Sequence, residues 1–182
     1  IDKSIAGESH HKKVSRVASF LKRNKYDYLF ITAPENVAWL LNIRGYDSPS
    51  SPIPNSNLLL TKEKHVFLIV EKNKTTKLLS EKKLKQDQIV DPRYILNFSD
   101  ILKKGTILID EKTCSLYLEK VIEKKFKITK KEDPIYILKS IKNDIEIKNM
   151  INAHIIDGVA LTKFIYWIKN LKKLNITEVD AQ

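Results

Sequence analysis

The sequence is poor in the residues that metal and disulfide sites require. Its 182 residues include one cysteine, Cys114, so no disulfide can form within the chain, and this favours a reducing, cytoplasmic location. No apolar run approaches the roughly 20 residues that span a bilayer, which predicts no membrane partner. There is no His-x-x-x-His or Cys-x-x-Cys pair and no glycine-rich phosphate loop. These absences predict that the chain holds no metal ligands.

Arginine is also scarce, although the net charge of the chain is +11. The lysines are scattered and mixed with Glu and Asp, whereas base readout and bidentate phosphate contacts favour arginine. A nucleic-acid binder is one alternative, and it predicts a clustered basic face with a steep salt dependence of binding. The scatter of the lysines favours the opposite prediction, that nucleic acid is not a partner.

Apolar periodicity predicts helices that alternate with strands. Val14, Val17 and Leu21 share one helical face, Pro34 suits the first turn of a helix, and Ser115 can cap another. Predicted helices are 10–25, 34 to about 45, 76–83, a short one after Ser99, and 115–124. Predicted strands are 28–32, 58–61, 65–70, 88–90, 106–110 and an edge strand at 126–129. The alternation indicates the α/β class, with a sheet covered by helices.

The organisation changes near residue 142. Residues 144–169 contain no proline and many apolar side chains, which predicts one long helix or two helices broken near Gly158. Thr177 can cap a further helix. We therefore expect one domain over residues 1–142 and the start of a second over residues 143–182.

Three stretches occur in an order that resembles the three-domain form of Xaa-Pro aminopeptidase. The residues 39–45 (WLLNIRG), after the turn 32–36 (TAPEN), are similar to a "WL.N.RG" signature in the middle domain of that family. Pro134-Ile135 and the residues 139–143 (KSIKN) resemble the linker into its catalytic domain. The residues 150–167 resemble the first helix of its pita-bread metallopeptidase fold.

The resemblance implies a mixed sheet flanked by helices, like the creatinase amino-terminal domain, followed by one long helix that opens a truncated pita-bread domain. The intact enzyme would release the first residue from peptides with proline second. It would use two divalent metals, usually manganese, whose ligands lie downstream of Thr177, and it could be a homodimer. We therefore expect this chain to be an inactive internal fragment with no catalytic residue and no cofactor. Its start at Ile1, with nothing like a signal peptide, agrees.

Two side chains are candidates for the substrate cleft. Arg44 can face the entering peptide, or it can bond carbonyl groups or pair with Asp47. Trp39 can form a cleft wall, although a tryptophan at helical spacing is more often a core residue. The proline-containing loop 46–56 is either a cover for the cleft or an ordinary connection.

Two further residues favour a structural interpretation. His154 is interpreted as a core or interface histidine of the long helix, and Cys114 as a small core residue.

An alternative function is a binding module on the same fold. Some pita-bread relatives have lost their metals and bind proteins, including histones. The basic charge of this chain does not favour a basic partner. Metal ligands in the downstream sequence would separate this alternative from the enzyme.

Overall fold

The computed structural model describes residues 1–95, 102–171 and 176–181, which fall into two compact units, Ile1–Ile141 and Lys142–Gln182. The short helix predicted after Ser99 lies outside the described residues. Helices of the first unit are α1 (Lys3–Ala6), α2 (His10–Arg23), α3 (Pro34–Leu41), α4 (Thr76–Ser80), α5 (Leu116–Glu123) and α6 (Ile135–Ser140). Its strands are β1 (Tyr28–Ile31), β2 (Asn57–Thr61), β3 (Val66–Ile69), β4 (Ile89–Val90), β5 (Thr106–Ile109) and β6 (Lys127–Lys130). Short 3-10 turns occupy Lys72–Lys74, Gln86–Gln88 and Pro92–Tyr94.

The six strands form one mixed sheet in the order β4-β3-β2-β1-β5-β6. The strand β2 is antiparallel to both β1 and β3, whereas the β1–β5, β5–β6 and β3–β4 pairs are parallel. The predicted mixed α/β sheet and its edge strand β6 are therefore confirmed. The tight turn between β2 and β3 places Lys64 at a φ of 74°, in the left-handed region.

Helices cover both faces of the sheet. Side chains alternate along a strand, so Leu29 and Ile31 of β1 point to one face while Tyr28 and Phe30 point to the other. The first face packs against α2, α3 and Ile135, and the second packs against α5 and its flanking residues. Full burial of a leucine or isoleucine contributes about 1.5–3 kcal/mol, so this two-sided core is the main source of stability.

The helix α3 ends earlier than predicted. Glycine was expected to end it near Gly45, but the ending residue is Asn42, whose φ of 53° is left-handed. Gly45 has a different role: its N–H donates to the Pro52 carbonyl, and an added Cβ would lie 2.7 Å from Pro54. The close approach of two chain segments therefore requires glycine at this position.

The predicted linker contains a helix. Pro134 stands at the N-cap of α6, and Ile135 is fully buried against the core. The sequence predicted no helix over residues 134–140, because this helix is short and presents a narrow apolar face. The loop 46–56 contains no helix and no named strand, as predicted, with one isolated bridge between Ser48 and Ser51.

The second unit contains the helix α7 (Asp144–Lys169) and a 3-10 turn at Val179–Ala181. The helix α7 is continuous through Gly158, so of the two predicted alternatives the single long helix is the one that forms. Asn143 and Glu146 form a capping box at its start. No residue of α7 is buried. Thr177 accepts a hydrogen bond from the Asp180 N–H, which is the predicted capping contact, although the turn that follows is short.

Within the described ranges, no helix has both the length and the apolar character needed to cross a membrane.

Candidate functional site

The indole of Trp39 packs between the core and two basic side chains. The ring is half-buried against the core, with the Lys13 ammonium 4.1 Å and the Arg16 guanidinium 5.7 Å from its centroid. Its Nε1 has no hydrogen-bond partner among the described residues. This position supports a packing role, and a role in a substrate cleft stays a prediction.

Lys13 is a buried lysine with 2% of its surface exposed. Its ammonium donates to the Trp39 carbonyl at 3.1 Å and to Asn42 Oδ1 at 2.8 Å. Sequence reasoning missed this residue. The signal was present, because Lys13 precedes Val17 by four positions and so belongs to the buried face of α2.

Asn42 joins three segments of the chain. Its side-chain amide donates to the Glu8 carbonyl at 2.8 Å, while its own carbonyl accepts from Lys83 Nζ at 3.0 Å and from the Ile1 ammonium at 2.7 Å. Asparagine tolerates the left-handed conformation better than most residues, and its short amide reaches nearby backbone. The end of α3 is therefore held rigidly where Ile43 and Arg44 leave it.

Arg44 is exposed, and its Nη1 donates to the Ile43 carbonyl at 2.8 Å. The other local alternative, a pair with Asp47, is not formed. Asp47 instead lies 2.7 Å from Lys74 Nζ and accepts from the Asn55 N–H at 2.6 Å, which lowers the pKa of its carboxyl. Of the two predicted local contacts of Arg44, the one to a carbonyl is thus present.

A pocket of about 510 Å³ opens beside Arg44. It lies between the end of α3, the loop 45–56, the strand β3 and the helix α4. The apolar lining residues are Ile43, Pro54, Leu68, Val70 and Leu78, and the charged ones are Arg44, Asp47, Lys74, Lys77, Glu81 and Lys83. We call this the Arg44 pocket. An apolar wall with a few converging polar groups is the usual form of a ligand site.

A positive field surrounds one side of the Arg44 pocket. The pKa of His10 is lowered to about 4, first by burial and then by the nearby His11 and Lys83. The pKa of the Ile1 ammonium is also lowered, first by burial and then by Lys83.

A larger groove of about 730 Å³ lies between α2 and α6. Its apolar residues are Phe20, Pro134, Ile137 and Leu138, and its rim carries Lys12, Arg16, Arg23 and Lys131. The hydroxyl of Ser19 donates to the Ser15 carbonyl, so this part of the groove presents few unpaired polar groups. Sequence reasoning did not predict this groove because its walls are far apart in the sequence.

A buried polar cluster sits where β1 and β5 end. Asn36 donates to Asp133 Oδ2 at 2.8 Å and accepts from Lys139 Nζ at 2.6 Å, while the Asp133 N–H donates to Asp110 Oδ2 at 3.0 Å. Burial raises the pKa of Asp133. The cluster fastens α6 to α3, and its members were missed because parallel strands bring their ends together only in the folded sheet.

The described residues do not fit a metal centre. They contain no group of three or more His, Cys, Asp or Glu side chains that could hold an ion. His154 is exposed on α7, so it is not a core residue of this chain, and its interpretation as an interface residue stays a prediction. Cys114 is buried, as interpreted, and burial raises the pKa of its thiol to about 11, which leaves it unreactive at neutral pH.

The fold belongs to a known class of α/β domains. Its geometry matches the crystal structure of an X-prolyl aminopeptidase from Caenorhabditis elegans with a TM-score of 0.79 and 24% identity, over 93% of this chain and 28% of that one. This likeness confirms the expected architecture, a six-stranded mixed sheet with flanking helices and a long helix after it.

The sequence matches the family profile of the Creatinase/Prolidase N-terminal domain over residues 1–146. The chain therefore belongs to the Creatinase/Prolidase N-terminal domain family. It is 33% identical over 170 residues to the Xaa-Pro aminopeptidase ApepP of Drosophila melanogaster and 29% identical over 174 residues to Xaa-Pro aminopeptidase 1 of Dictyostelium discoideum. These matches cover 91% and 93% of this chain, and the chain spans 27% of the length of each relative.

Proposed function

We propose that this chain is a non-catalytic part of an Xaa-Pro aminopeptidase, whose intact form releases the first residue from peptides with proline second. The observation that carries the proposal is the similarity to Xaa-Pro aminopeptidases, which extends over 91% of the chain at 33% identity. In this proposal, residues 1–142 form the middle domain and residues 143–182 open the catalytic pita-bread domain.

The metal chemistry of the intact enzyme is assigned to residues outside this chain. The Caenorhabditis elegans neighbour is described as a cytosolic enzyme with a di-nuclear active site. We extend both properties to the intact protein, with manganese as the proposed metal and the cytoplasm as the proposed location. The chain by itself is then inactive, and no step of the reaction runs through its own side chains.

The role of this chain would be to shape the entrance to the cleft. Arg44 is the better of the two cleft candidates, because its guanidinium is exposed beside a pocket and is positioned by the rigid Asn42 segment. Trp39 would support Arg44 indirectly, because it packs with Lys13 and so stabilises the end of α3.

The test is an assay of the full-length parent for release of arginine from the peptide Arg-Pro-Pro, with and without added Mn²⁺, with this chain as a parallel sample. Manganese-dependent release by the parent, and none by the chain, is the expected result. A parent that neither cleaves the peptide nor binds Mn²⁺ would contradict the proposal. Release by the isolated chain would show that catalytic groups lie within it.

A further inference from the structure

The Arg44 pocket carries two cations that no carboxylate balances. Among the described residues, neither Arg44 nor Lys83 has an Asp or Glu within ion-pair distance, and each is bonded only to a backbone carbonyl. The other two lysines of the pocket are different: Lys74 pairs with Asp47 at 2.7 Å, and Lys77 lies 3.8 Å from Glu81. The side-chain charges that no carboxylate pairs are therefore those of Arg44 and Lys83, and the Ile1 ammonium lines the same pocket.

These two cations act on the same region of space. Both side chains line the same pocket, and they donate to the carbonyls of two adjacent residues, Arg44 to Ile43 at 2.8 Å and Lys83 to Asn42 at 3.0 Å. Two cations held at adjacent carbonyls of one pocket favour an anion placed between them.

Part of the pocket wall is apolar. Leu68 of β3, Val70 just after that strand, Ile43, Pro54 and Leu78 form this apolar wall. An inorganic anion would use the cations and leave these walls unfilled. A ligand that carries a carboxylate next to an apolar side chain would use both, and about 510 Å³ is within the roughly 300–1,000 Å³ range of small-ligand sites.

We propose that the Arg44 pocket binds the terminal carboxylate of a short peptide, with Arg44 and Lys83 contacting the carboxylate and the last apolar side chain resting on Leu68 and Val70. A guanidinium presents two parallel N–H donors to a carboxylate, and such charge-assisted bonds are about twice as strong as neutral ones. The identification of the ligand as a peptide rests on the proposed function. The binding itself does not require catalysis.

The experiment is a titration of this chain with the tripeptide Arg-Pro-Leu as the free acid and as its carboxamide, measured by calorimetry. The free acid is expected to bind at least about tenfold more tightly. Arg44→Gln and Lys83→Gln should each remove most of this preference. Lys120→Gln is the matched control, because Lys120 is exposed on α5 and outside the pocket. It should leave the preference unchanged.

Two further ligands separate the sources of binding. Arg-Pro-Gly should bind more weakly than Arg-Pro-Leu, since glycine leaves the apolar wall uncovered. Inorganic phosphate should compete poorly. Equal affinity for the leucine and glycine peptides, together with strong competition by phosphate, would mean a general anion site and would overturn the inference.

Equal binding of the acid and the amide, or no binding of either, would also overturn the inference. Thermal unfolding followed by circular dichroism identifies any variant that has lost its fold. Arg44→Gln is the decisive variant, because Arg44 is exposed and its side chain bonds, among the described residues, to the adjacent carbonyl alone. An inactive parent with an intact preference for the acid would refute the aminopeptidase and keep the pocket. An active parent whose preference for the free acid survives Arg44→Gln would support the aminopeptidase and refute the proposed role of the pocket.

Discussion

Leu60 in β2 and Ile155 in α7 are aliphatic side chains of the same size, yet Leu60 has no exposed surface whereas 61% of Ile155 is exposed. The contrast holds for the two units as wholes. The first unit surrounds its sheet with apolar side chains on both faces, while α7 buries none of its residues. A helix can thus form from its own caps and composition, but burial requires partners that come from elsewhere in the fold.

The contrast predicts that the same type of substitution has opposite consequences in the two units. Leu60→Ala should lower the free energy of unfolding by about 2–5 kcal/mol, because it leaves a cavity in a closed core. Urea unfolding followed by circular dichroism measures this. Ile155→Ala is the matched control and should change stability by no more than about 0.5 kcal/mol. Equal losses in both variants would show that α7 is packed as tightly as the sheet.

The reactivity of the Cys114 thiol reports how well the core excludes solvent. Burial raises its pKa to about 11, so almost no thiolate is present at neutral pH, and reactivity should rise only as the pH approaches that value. Alkylation by iodoacetamide at pH 8 should be on the order of 100-fold slower than for a free cysteine. Mass spectrometry follows the reaction, and the same chain in urea provides the control. Rapid alkylation of the native chain would mean that this face of the core opens easily.

Substitutions at helix caps compare the two units through smaller expected changes in stability. Ser115 accepts the Leu118 N–H at the start of α5, and Ser115→Ala should cost about 1 kcal/mol of global stability. Asn143 caps α7 in the same way through the Ile145 and Glu146 N–H groups. Asn143→Ala should reduce the helical signal of α7 and leave the urea midpoint of the first unit unchanged. A shift of that midpoint would be evidence that the two units unfold together.

The exposed apolar side chains of α7 should affect association rather than stability. Ile155→Lys is expected to leave the unfolding of the first unit within about 0.5 kcal/mol of the parent chain. The same change should reduce concentration-dependent association, because large exposed apolar patches promote contacts between molecules. Sedimentation velocity at several concentrations measures this. A parent chain that stays monomeric at all concentrations would contradict the expectation.

Most of the elements could be predicted because their signals are local. The apolar spacing of α2, Pro34 at the start of α3 and Ser115 before α5 each determine a helix within a few residues. The end of α3 was misplaced because both Asn42 and Gly45 can stop a helix. The choice depends on the contacts of Asn42 with Glu8 and Lys83, which are distant in sequence.

The candidate site was predicted only in part. Arg44 was identified from a motif, and its carbonyl contact was one of two local alternatives. Its neighbour Lys83 was not identified, since nothing in the local sequence around residue 83 differs from the many other lysines of the chain. The pairing of Asp47 with Lys74 rather than Arg44 likewise depends on where the loop 46–56 folds.

The sequence alone determined the α/β class, the sheet elements and the family, because apolar periodicity, helix caps and motif order can be read from the sequence without knowing the fold. Tertiary structure decided which charges are balanced and which are not. Lys13 is a buried hydrogen-bond donor, Lys74 pairs with a carboxylate, and Arg44 and Lys83 line one pocket whose wall is partly apolar. Such outcomes depend on distances between residues that are remote in sequence, and charge interactions change steeply with those distances and with burial.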